Sequence, residues 1–138
     1  MTAINPYLFV YGTLRKACKN EMSIRLFEES KWIGYGQVRG EIYLQDFYPV
    51  LTESESGFVT GEVVELLNPA ESFDWLDNYE DFDKNNTESS LYQRVTRNVS
   101  LENGQNIETW LYLFNGQIDG LRKIETGDFL EEIPQKSF

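Results

Sequence analysis

The chain reads as an α+β domain with a strongly bent, mostly antiparallel sheet curling towards a barrel. Three observations carry that expectation. Five or six strand-like runs are interspersed with only two helical ones, and the last long runs follow one another through a short turn. Glycines at 34, 36 and 40 also break the longest extended stretch, as in a strand that bends or carries bulges. With 138 residues, 41% hydrophobic and 14% aromatic, the chain is sized for one core, so a single domain over 1–138 is expected.

Taken in order, "PYLFVYG" (6–12) is a short apolar and aromatic run closed by glycine, a buried strand. "KNEMSIRLFEES" (19–30) sets Met22, Leu26, Phe27 and Ser30 near one helical face. "KWIGYGQVRGEIYLQ" (31–45) is extended, "YPV" (48–50) and "TESESG" (52–57) read as loop, and "FVTGEVVEL" (58–66) is a strand. A second helix starts at "NPAE", where Asn68 can cap, Pro69 suits the first helical position and Glu71 stands as a capping-box acid. It should run to Tyr79 or Asp81. "DFDKNNTESS" (81–90) is too polar to pack and reads as a surface loop. "LYQRVTRNVSL" (91–101) alternates as a strand, "ENGQ" is a turn, "IETWLYLFN" (107–115) is the last long strand, and "GDFLEEI" suits one helical turn.

Composition narrows the chemistry. Net charge is −11, from 23 acidic and 12 basic residues, which disfavours nucleic acid and anionic membranes as partners. The single cysteine, Cys18, cannot close an intramolecular disulfide. The opening "MTAINPYLFVYG" lacks the basic start and long apolar run of a secretory leader, and no stretch reaches membrane-spanning length, so a cytoplasmic location is expected. There is no histidine. That removes the commonest general base and the commonest metal ligand together. Proton transfer must fall to a carboxylate, lysine, tyrosine or the cysteine.

Two stretches could carry such chemistry. In "VYGTLRK" (10–16) a strand runs into a glycine turn, and the amides of Thr13 and Leu14 would lack sheet partners there. Such amides hold a carboxylate or a developing oxyanion, unless the turn is an ordinary one. In "SFDWLDNYEDFD" (72–83), at about 100° per residue, Phe73 and Leu76 share a face with Glu80. Either the helix ends in time to free Glu80 into water, or the carboxylate is held in a pocket. Partial burial and the helix C-terminus would both raise its pKa, as a base working near neutrality requires. The acidic set Asp77, Asp81, Asp83 and Glu88 fails as a calcium loop. Tyr79 stands where an oxygen ligand belongs and Phe82 where glycine belongs. No metal and no cofactor is expected.

Together, "YGTL" (11–14), "GEIY" (40–43) with "YP" (48–49), "GEVVEL" (61–66), "LDNYE" (76–80), "YQR" (92–94) and "TWLY" (109–112) resemble the gamma-glutamylcyclotransferase-like family, from Tyr7 to Phe114. The resemblance implies a small mixed fold with a closed, barrel-like sheet and two or three helices around it. It implies a cavity where the "YGTL" loop meets the acidic helix end, with Glu80 as catalytic base. The implied reaction releases 5-oxoproline and an amine from a gamma-glutamyl amine or peptide, the substrate's own α-amine attacking its γ-carbonyl. Amides at Gly12, Thr13 and Leu14 would bind substrate, Arg15 or Arg94 would offset the negative field, and Tyr11, Tyr92 and Tyr112 would line the pocket. Asp81 stands where the family often has glycine, and the stretch from Glu80 to Tyr92 is longer and more polar than usual, as a lid or as surface decoration. Glu88 is a rival base if the alignment slips. A binding module that does not turn its ligand over, and an interaction domain using its acidic face, are the other readings. The oligomeric state is not legible.

Overall fold

The structure, a computed structural model, describes residues 4–45, 48–80 and 90–132. Five strands close into a barrel in the order β1 (Tyr7–Val10), β5 (Phe58–Leu66), β2 (Ser30–Arg39), β6 (Tyr92–Leu101), β7 (Asn106–Phe114). Every pairing is antiparallel except β1 with β7, which meet in parallel at Leu8 and Trp110. The seam between β2 and β6 is short, pairing only Gly36 with Leu101 and Gln37 with Ser100. A side chain at position 36 could not enter that seam: its Cβ would lie 2.6 Å from a Val99 methyl. The expected irregularity in β2 is a register shift between Trp32 and Gly34.

A second sheet was not anticipated. β3 (Glu41–Gln45) pairs with β4 (Tyr48–Thr52) on one side and with the two-residue β8 (Arg122–Lys123) on the other. "YPV" is therefore strand rather than loop. Proline is tolerated there because β4 is an edge, where a missing N–H costs no ladder bond. The polar tract begins only after Thr52.

Among the described residues three α-helices accompany the strands: α1 (Glu21–Glu28), α2 (Pro69–Tyr79) and α3 (Phe129–Glu132). Asn20 caps α1 by accepting the Ser23 N–H at 2.9 Å. Asn68 occupies the equivalent place before α2, but its side chain makes no capping bond. Instead the Glu29 carboxylate, just past α1, accepts Ser72 Oγ–H at 2.9 Å and Trp75 Nε1–H at 3.0 Å, tying the two helices together.

Strand β1 explains its own unbroken apolar run. Leu8 and Val10 face the cluster containing Leu26, Phe73 and Leu76 of the helices, while Phe9 faces Val63, Val99 and Leu111 inside the barrel. Burial on both faces leaves no position for a polar residue. The polar stretch 81–89 lies outside the described residues, as do Asp81, Asp83 and Glu88. Among the described residues no helix is long and apolar enough to cross a membrane.

Candidate active site

After β1 the chain turns sharply, with the Arg15 N–H donating to the Gly12 carbonyl at 2.9 Å. The Thr13 carbonyl is also occupied, accepting Asn20 Nδ2–H at 2.7 Å. The N–H groups of Gly12, Thr13 and Leu14 have no acceptor among the described residues. The turn thus uses its acceptors and leaves three donors idle. Gly12 is not there for an unusual φ. Its missing Cβ admits Pro49 of β4, whose Cγ would stand 2.3 Å from an added methyl.

The turn is held from behind. Arg15, buried, donates through Nε to Glu62 Oε2 and through Nη1 to Asp128 Oδ1, both at 2.7 Å. The Lys16 N–H takes the other Glu62 oxygen at 2.9 Å. Arg15 is committed to this anchorage and does not line the cavity.

Facing the turn is the end of α2. The helix stops at Tyr79, and Glu80 is its C-terminal capping residue, its N–H still bonded to the Leu76 carbonyl at 2.9 Å. The two alternatives for Glu80 merge: the helix does end in time, but the side chain meets a cavity. No described residue donates to its carboxyl. Protein surrounds the carboxyl although part of the residue's surface stays open to the cavity, and desolvation by burial pushes its pKa up to about 8.

The cavity measures about 410 Å³. Of the residues nominated from sequence, Tyr11, Gly12, Thr13, Leu14, Glu80, Tyr92 and Tyr112 line it, and Arg94 does not. Arg94 forms a fork on Asp77, Nε to Oδ1 at 2.9 Å and Nη2 to Oδ2 at 3.3 Å, with its guanidinium 4.0 Å from the Phe73 ring centre. A strand residue whose side chain reaches the flank of α2 sits behind the cavity wall, so the expectation of a substrate contact from Arg94 is corrected. Glu80 is the one acidic side chain among the described residues lining the cavity, and no lysine or arginine among them lines it.

The tyrosines are structurally committed. Tyr11 donates to the Tyr112 carbonyl at 2.6 Å, Tyr112 donates to Asp77 Oδ1 at 2.7 Å, and Tyr92 reaches the Pro49 carbonyl at 3.4 Å. Burial raises the pKa of all three phenols, so they stay neutral. Sequence reasoning missed Tyr48 and Tyr79, which also line the cavity; the Tyr79 hydroxyl lies 3.2 Å from Thr13 Oγ1, joining the helix end to the turn. The only available signal for Tyr79 was its place beside Glu80.

The fold has known counterparts. Residues 8–131 match the family model described as gamma-glutamyl cyclotransferase, AIG2-like, and the chain belongs to that family. A Methanocaldococcus jannaschii protein named "Putative gamma-glutamylcyclotransferase" is 29% identical over 126 residues, covering 89% of this chain and 94% of its own. The crystal structure of an AIG2-like protein from Mus musculus superposes with a TM-score of 0.72 at 21% identity, over 94% of this chain and 90% of that one. An uncharacterised protein from Pyrococcus horikoshii superposes with a TM-score of 0.63 at 25% identity, over 91% and 90%.

Proposed function

We propose that the protein is a cyclotransferase that converts a gamma-glutamyl amine or gamma-glutamyl peptide into 5-oxoproline and a free amine, with Glu80 as the general base. One observation carries the reading: a carboxyl with a raised pKa shares a cavity with three main-chain donors, and neither it nor they have a hydrogen-bond partner among the described residues. Family membership supports it.

The chemistry suits that equipment. The substrate's α-nitrogen attacks its own γ-carbonyl, a new C–N bond closes a five-membered ring, and the bond to the leaving nitrogen breaks. Both reacting groups arrive on one molecule, so holding it folded supplies much of the acceleration. The α-amine enters as an ammonium and must lose a proton before attack. Glu80 takes that proton and returns it to the departing nitrogen, a role worth on the order of 10²–10⁴-fold. The N–H groups of Gly12, Thr13 and Leu14 bind the oxyanion of the tetrahedral intermediate or the substrate carboxylate. With no cationic side chain among the described lining residues, such an anion depends on those amides.

The test is product release measured over gamma-glutamyl amino acids, glutathione and gamma-glutamyl-lysine. Wild type should release 5-oxoproline from at least one of them, and Glu80→Gln should lose that activity while unfolding as cooperatively as wild type. Undiminished turnover in Glu80→Gln rejects the assignment of the base. Saturable binding with no product from any compound leaves a binding module in place of the enzyme.

A further inference from the structure

We propose that Asp77 and Arg94 are positioning residues for Glu80: together they clamp the last turn of α2 to the barrel, so that the carboxyl one residue beyond it stands in the cavity. The catalytic consequence rests on the function proposed above; the clamp itself does not.

Asp77 and Glu80 are three residues apart at the end of α2, and Leu76, fully buried, fixes the same turn on its core side. Nothing described holds the Glu80 carboxyl itself, so its position must come from the turn that carries it. Asp77 accepts three bonds from two neighbouring barrel strands, two from Arg94 on β6 and one from Tyr112 on β7. Arg94 and Tyr112 are paired across those strands. The guanidinium is wedged between aromatic rings, 4.0 Å from the centre of Phe73 on α2 and 4.6 Å from that of Trp110 on β7. A forked, stacked arginine fixes both distance and orientation, which a lysine cannot do. The ring that donates to Asp77 also forms part of the cavity wall. Helix end and wall are therefore set by one carboxylate.

The experiment follows the Glu80 carboxyl directly, by ¹³C NMR of ligand-free protein labelled at glutamate side-chain carboxyls, the signal being assigned by its loss in Glu80→Gln. Tyr11, Tyr79, Tyr92 and Tyr112 face it from the residue after β1 and from α2, β6 and β7, and burial keeps their protons on; Tyr48 of β4 lines the same cavity. In wild type the midpoint should lie near 8. In Arg94→Lys and in Asp77→Asn it should fall by a pH unit or more as the carboxyl gains water, and kcat should fall on the order of 10²-fold with KM nearly unchanged. Tyr112→Phe, which removes one bond of three, should give a smaller shift in the same direction and keeps the test open if the other variants do not fold. A wild-type midpoint in the folded variants overturns the clamp. A shifted midpoint, alongside full turnover in Glu80→Gln, rejects the general base and leaves the clamp standing.

Discussion

Glu80 is costly to keep. Its pKa lies near 8, against 4.5 for an unperturbed glutamate. Between those values the folded protein retains a proton that the unfolded chain has released. Stability therefore falls as pH rises through that window, by up to about 1.4 kcal/mol per pH unit, and levels off above about pH 8. Glu80→Gln should be the more stable protein from about pH 5 upward, by a margin that widens until about pH 8; urea unfolding at pH 5, 7 and 9 measures it, and a margin flat with pH contradicts the burial of the carboxyl. The same ionisation should shape the rate, with kcat/KM of wild type rising on the alkaline side of neutrality and an apparent pKa near 8. Gly12 is legible as a turn residue in the sequence, but not for its structural reason. Gly12→Ala forces a methyl against the Pro49 ring. It should cost about 1–3 kcal/mol in denaturant unfolding and lower turnover as the turn gives way.

At the scale of elements, the turn between β1 and α1 depends on side chains remote in sequence. Arg15 reaches Glu62 on β5 and Asp128 just before α3, so three separate segments meet behind the cavity. Glu62 and Arg15 are almost wholly excluded from solvent, and removing one partner of such a pair leaves the other charge uncompensated. Glu62→Leu should destabilise the fold by about 3–5 kcal/mol in chemical unfolding. A loss under 1 kcal/mol would mean that Asp128 alone satisfies the arginine. The elements themselves differ in how they announce themselves. β5, β6 and β7 were readable to within a residue because each is bounded by turn chemistry and carries alternation or a long apolar run. β4 was not, because five residues containing a proline acquire strand character only from the partner β3 that they meet.

For the molecule as a whole, the cavity lies where the barrel rim, the end of α2 and the second sheet converge, so occupying it should bind those parts together. A ligand held there at about 100 times its Kd should add about 2.7 kcal/mol to stability. 5-Oxoproline, titrated while thermal unfolding is followed, should raise the Tm of wild type and raise it much less in Gly12→Ala. An equal rise in both would place the ligand elsewhere.

What the sequence alone determined was local: where the chain turns, which runs are buried, and that without histidine any proton transfer falls to a carboxylate, lysine, tyrosine or the lone cysteine. The conjunction of an acid on a helix face with a glycine turn far upstream also pointed to two stretches that the fold brings to one cavity. Tertiary structure decided the rest. It turned Arg94 towards Asp77, recruited Tyr48 and Tyr79 to the wall, gave Gly12 its neighbour and split the strands into a barrel and a second sheet. The physical reason is that spacing along a chain fixes which side chains share a face, whereas burial and charge pairing are set by atoms that arrive from elsewhere in the fold.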